Sequence, residues 1–286
     1  MATPLSADGF LNALRGEGLA VNEVGNWRTH NRNHKGQWGP VHGIVIHHTA
    51  TSGTDSSVSI CRDGYAGLPG PLCHGVIDRD GGVHLVGYGR TNHAGAGDPD
   101  VLQAVIAEGP LPADNEATVD GNARFYGFEC INSGTGQSWP DEQVDAMVRA
   151  AAAVCRAHGW SERSILGHKE WQPGKIDPNG IDMADFRARV GQVLRGGARP
   201  QPDPQPSAPA YPGRDAFGPG RVNDSILQLG QQLVRKGFGG AYRVGPSRSW
   251  GESDRLNTAA FQRAQGWGGA DADGLPGPST WQRLWS

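Results

Sequence analysis

The sequence predicts an α/β domain with a central mixed β-sheet flanked by helices, followed by a small all-α domain of three helices. Three observations carry this expectation. Apolar runs at 43–46, 72–86 and 125–131 read as strands. Amphipathic stretches at 141–158 and 182–195 read as helices interleaved with and flanking them. A proline-rich stretch at 196–213 then separates residues 1–195 from a second unit, 214–286.

Each element has a local cause. Ser6 or Asp8 can cap a short helix over 6–20, with Phe10, Leu11 and Leu14 on one stripe before Gly16 and Gly18. Residues 27–35 are polar and basic. Their His30 and His34 stand four apart, but no apolar face accompanies them, so a solvated loop is expected rather than a second metal site. Gly43, Ile44, Val45 and Ile46 form a short buried strand that delivers His47 and His48 to its C-terminal end. Side chains alternate across a strand, so His47 shares a face with Val45 and His48 with Ile46. Only one of the two can enter a given site.

A brief helix is expected through 58–61. Residues 72–86 read as a hairpin joined at Asp80-Gly81, with His84 facing outward. Residues 96–122, rich in Gly, Pro, Asp and Asn around a short apolar piece at 101–106, read as an irregular insertion bordering a cleft. The strand at 125–131 holds Glu129 in its middle, which is costly unless the carboxylate is paired or close to a cation. The helix over 141–158 puts Val144, Met147, Val148, Ala151, Val154 and Cys155 on one face and stops at Gly159. In the helix at 182–195, Phe186, Val190, Val193 and Leu194 turn inward. Beyond the proline-rich stretch, Ile226, Leu229, Leu233 and Val234, then Ala260, Phe261 and Ala264, repeat at helical spacing, and 280–285 close a third short helix.

Composition narrows the function. The chain has 286 residues with 44 glycines and 20 prolines, enough for two domains joined by loops and a linker. A formal net charge of −3 and the lack of a basic run exclude an electrostatic footprint for nucleic acid. No apolar run approaches membrane-spanning length, and the first ten residues lack the pattern of a secretory signal. A monomer made in the cytoplasm is expected. Cys61, Cys73, Cys130 and Cys155 are too scattered for a disulfide scaffold; Cys61 and Cys73 could pair if the protein works outside the cell, but without a signal sequence free thiols are expected.

The chemistry-bearing residues fall in two places. Besides the strand ending in His47 and His48, residues 166–178 bring His168, Lys175 and Asp177 into a loop punctuated by Pro and Gly. Two neutral imidazoles and one carboxylate, with a fourth position for water, make a catalytic zinc set. Each histidine alone is a weak signal; together they point to a metal. A nearby metal-bound water would also account for Glu129.

The ordered segments Ile-His-His-Thr-Ala-Thr (46–51), His-Gly-Val-Ile-Asp-Arg-Asp-Gly (74–81), Asn-His-Ala-Gly (92–95), Tyr-Gly-Phe-Glu-Cys-Ile-Asn (126–132) and Gly-His (167–168) with Pro-Gly-Lys-Ile-Asp-Pro (173–178) resemble a known family. It is that of the zinc-dependent type 2 N-acetylmuramoyl-L-alanine amidases, which include the peptidoglycan recognition proteins. The resemblance covers roughly residues 27–190. It implies their α/β fold, zinc held by His47 rather than His48 with His168 and Asp177, Glu129 as general base and Lys175 as oxyanion stabiliser. It also implies His74 and His93 as substrate-binding residues. The implied reaction cuts the amide between N-acetylmuramic acid and L-alanine in peptidoglycan. Cys73 stands before His74 where some similar enzymes carry a tyrosine, so any role of that hydroxyl is absent.

Residues 261–267 and 272–281 are similar to the three-helix peptidoglycan-binding module, which implies a wall-anchoring role for 214–286. With no signal sequence, this domain order resembles a phage-type endolysin that reaches the wall through another lysis factor. The competing expectation is a recognition protein that binds the same polymer without cutting it.

Overall fold

Short apolar runs build the sheet around which the first part of the chain is arranged. In the computed structural model, which describes residues 2–197 and 209–285, six strands form it: β1 (Val21–Glu23), β2 (Gly43–His48), β3 (Gly75–Ile77), β4 (Val83–Leu85), β5 (Phe125–Cys130) and β6 (Ile165–Gly167). Their order is β1-β4-β3-β5-β2-β6. The β3–β4 hairpin is antiparallel and every other pairing in this sheet is parallel. The sheet is mixed, as expected.

Register decides which side chains meet. Val45 lies opposite Gly127 and His47 opposite Glu129 on β5, while Val45 also faces Leu166 on β6. Paired residues point to the same face. Phe125, Gly127, Glu129, Val45, His47 and Leu166 therefore share one face, and Ile44, Ile46, Tyr126, Phe128 and Cys130 the other.

The second face carries the larger core. Helices α1 (Ala7–Gly16), α4 (Asp141–His158) and α5 (Met183–Arg195) cover it with Phe10, Leu14, Met147, Ala151, Val154, Phe186 and Val190, all buried. Burying each large aliphatic side chain contributes roughly 1.5–3 kcal/mol. Ser6 caps α1 by accepting the Gly9 N–H, Asp182 caps α5, and Gly159 ends α4 in the left-handed conformation. On the first face, Val45, Phe125, Leu166 and Trp171 pack with Val101, Leu102 and Val105 of α3 (Pro99–Ile106). Helix α2 (Thr54–Asp63) sets Val58 and Cys61 against Cys73 and Val76. All four cysteines are free and buried.

Several expectations need correction. The 96–122 insertion is more ordered than its composition suggested. Asp98 caps α3 by accepting the Asp100 and Val101 N–H groups, with Pro99 at the first helical position, and Ala96–Gly97 pairs with Val119–Asp120. The 27–35 loop is not wholly solvated, since Trp27 is buried and donates to Glu23. His84 turns to the hairpin's own Asp78, at 2.7 Å, instead of facing outward.

The chain divides into two compact units, Met1–Pro202 and Asp203–Ser286. In the second, α6 (Asp224–Arg235), α7 (Glu252–Ala264) and α8 (Pro278–Trp285) enclose Ile226, Leu229, Leu233, Phe261, Trp281, Leu284 and Trp285. Val234, which follows Leu233 in the same helix, is exposed. Residues 198–208 of the proline-rich stretch lie outside the described residues. Among the described residues no helix is long and apolar enough to cross a membrane.

Candidate metal centre

Parallel pairing brings three strand ends to one edge. His47 is the penultimate residue of β2, β6 runs directly into His168, and β5 presents Glu129 beside His47. The loop after β6 folds back because the Lys169 N–H donates to the Asp177 carbonyl and its ammonium to the carbonyls of Pro178 and Ile181. Asp177 is thereby returned to His168.

The geometry is tight. His47 Nδ1 lies 3.0 Å from His168 Nδ1 and 2.9 Å from Asp177 Oδ2, and His168 Nδ1 lies 3.0 Å from that same oxygen. Among the described residues these three form the one cluster of His, Cys, Asp or Glu able to hold a metal ion. A tetrahedral ion with bonds of about 2.0–2.1 Å spaces its ligand atoms about 3.3 Å apart. An outward shift of a few tenths of an ångström would admit one. The donor set fits a divalent ion and leaves a fourth position for a water.

Electrostatics prepare the ligands. Burial, helped by neighbouring His168, pushes His47 down to about 4, so it is neutral near pH 7, as a ligand must be. Burial works against ionisation of Asp177, but hydrogen bonds to His168 and His47 outweigh it and hold the carboxyl well below its usual range. Burial pushes Glu129 far up, with Cys61 and Asp177 adding and Lys175 opposing. Its Oε2 is buried with no hydrogen-bond partner among the described residues. An orphaned carboxyl oxygen beside a ligand cluster suits a site that handles a proton or a cation. Lys175 is exposed, yet its charge acts on both His47 and Glu129.

The other predicted site residues go elsewhere. His48 is outside the cluster: its Nδ1 accepts the Asn179 N–H, and its ring fills the space a side chain at Gly134 would need. His74, expected to bind substrate, is fully buried, with Nε2 donating to the Gly89 carbonyl and Nδ1 accepting the Gly127 N–H. No ring nitrogen remains for a ligand. His93, also expected to bind substrate, is buried, with Nδ1 3.0 Å from His47 Nε2 and Nε2 3.2 Å from the Phe125 carbonyl. It contacts a metal-ligand candidate rather than open solvent.

Three residues at the site were missed from sequence. Gln172 accepts from His168 Nε2 at 3.2 Å, four residues on, a spacing that offered a signal. Asn122 accepts the N–H groups of His93 and Ala94, and Gly127 leaves room for the His93 ring. Their partners lie about 30 residues away in sequence, so no local pattern marks them.

The strand ends of a mixed α/β sheet and the loop after β6 thus gather two imidazoles and a carboxylate able to hold a divalent ion, beside a second carboxyl with one oxygen unpartnered among the described residues. The chain belongs to the N-acetylmuramoyl-L-alanine amidase family, whose profile matches residues 37–180. Similar solved structures include the endolysine amidase LysCS from Clostridium intestinale URNW, with 16% identity, 59% of this chain and 94% of that chain covered, and a TM-score of 0.41. Another is AmiD from E. coli in complex with anhydro-N-acetylmuramic acid-L-Ala-D-γ-Glu-L-Lys, with 17% identity, coverage of 86% and 88%, and a TM-score of 0.40. AmpDh3 from Pseudomonas aeruginosa has 14% identity, coverage of 83% and 90%, and a TM-score of 0.40. No curated protein matches the chain.

Proposed function

We propose that this chain is a zinc-dependent, wall-lytic amidase of endolysin type. It hydrolyses the amide between N-acetylmuramic acid and the L-alanine of the peptidoglycan stem peptide. The observation that carries this reading is the convergence of His47, His168 and Asp177 beside Glu129, inside the segment that matches the family.

Zinc held by those three residues would supply Lewis acidity toward the scissile carbonyl and a water of pKa about 7. His47 and His168 present Nδ1 lone pairs, and Asp177 presents Oδ2. Glu129, whose Oε2 has no partner among the described residues, takes a proton from the attacking water and hands it to the departing alanine amine. Lys175 offsets the negative charge that grows on the carbonyl oxygen. Residues 214–286 hold the monomeric enzyme on its polymer. A recognition protein without catalysis would have no use for Glu129 and Lys175 beside a full ligand set.

Muropeptide release from purified wall tests the reading. Chelation should abolish release and added zinc should restore it. Undiminished release by metal-free protein would overturn the mechanism.

A further inference from the structure

Imidazole can offer its lone pair from either nitrogen, and a metal site works only with one choice. With a metal bound, His47 must keep Nδ1 bare and carry its proton on Nε2. The structure holds a device for this. The Phe125 carbonyl can only accept, so His93 donates to it from Nε2, and the neutral His93 ring then has Nδ1 free as an acceptor. That nitrogen lies 3.0 Å from His47 Nε2 and takes its proton.

We propose that His93 is a positioning residue for the metal centre, fixing His47 as the tautomer whose Nδ1 faces His168 and Asp177. The proposal rests on the metal reading above. Its surroundings are built for the task. Asn122 Oδ1 accepts the N–H groups of His93 and Ala94, each at 2.8 Å, and the His93 ring lies over Gly127, where a Cβ would come within 2.4 Å of Nδ1. The second ligand is held differently: His168 Nε2 donates to Gln172, a half-exposed side chain that water can replace. The His47 arm is buried, so an unmet N–H there has no such substitute.

The test compares zinc dissociation constants by chelator competition for the wild type, His93→Leu and His93→Asn, with a thermal melt of each metal-free protein. His93→Leu removes the acceptor and should weaken zinc binding about 10–100-fold. His93→Asn keeps an acceptor oxygen near the Nδ1 position and should stay within a few-fold of wild type. In zinc-loaded wild type, long-range 15N spectra should show His93 protonated on Nε2 and bare on Nδ1. Wild-type affinity in a folded His93→Leu protein, or a His93 protonated on Nδ1, would overturn the proposal. The spectra decide it even if His93→Leu fails to fold. A wild type that binds no zinc would overturn the metal reading as well.

Discussion

Glu129 is placed at a cost that packing does not explain. Its carboxyl is driven toward the protonated form by burial, and one oxygen has no partner among the described residues. Glu129→Gln keeps the shape and removes the base. Zinc content should match the wild type while turnover of a soluble muropeptide falls at least about 100-fold. Near-normal turnover would exclude Glu129 as the base. Gly127 makes a complementary case from geometry, because an added Cβ meets the His93 ring at 2.4 Å. Gly127→Ala should therefore weaken zinc binding, measured by chelator competition, more than it lowers the melting temperature of the metal-free protein. Sequence exposed the residues whose own type and neighbours announce chemistry: His47 and His168 at strand ends, and Asp177 in a Pro/Gly loop. It did not show how His74 and His93, expected to bind substrate, are held, because the partners of a buried imidazole here are the carbonyls of Gly89 and Phe125 and the N–H of Gly127, and pairing with distant strands sets those.

At the scale of elements, the apolar patterns marked strands and helices well wherever one face is buried, as in β2, β5, α4 and α5. The failure at 96–122 is instructive. Only eight residues make α3, and its Gly- and Pro-rich flanks dilute the periodicity, yet Asp98-Pro99 is a readable cap. That aspartate does more than cap a helix. Its two oxygens accept four backbone N–H groups, from Asp100, Val101, Asn115 and Glu116, so one buried side chain ties both ends of the insertion. Asp98→Ala strands those donors and should lower stability by about 1–3 kcal/mol in urea unfolding. Binding of zinc by the protein that remains folded should be unchanged, since Asp98 touches none of the ligands. The loop carrying Asp177 has its own ties. Asn179 donates its N–H to His48 and its side-chain amide to the Gly134 carbonyl, and its own carbonyl accepts from Trp139. His48, passed over as a ligand, thus braces the loop that delivers one.

At the scale of the whole chain, the two units have separate cores. The clusters around the sheet draw on residues up to 194, and the C-terminal cluster on residues from 211 onward. Each buries its own aromatic and aliphatic residues, so each meets the first condition for folding alone. Trp281 and Trp285 belong to that second core and cannot also be open sugar platforms. Trp267 is only partly buried, with Arg283 stacked on its ring at 5.1 Å. In the proposed function the second unit raises the local concentration of the first over an immobile polymer. This predicts a split outcome for a chain ending at residue 197. Cleavage of a soluble muropeptide should stay within about twofold of the full chain, because every ligand and Glu129 are retained. Binding to insoluble wall, measured by co-sedimentation, should fall at least about tenfold, within the range by which avidity exceeds single-site affinity. Equal loss in both assays would mean that residues 209–285 support the fold of the first unit instead of holding it to the wall.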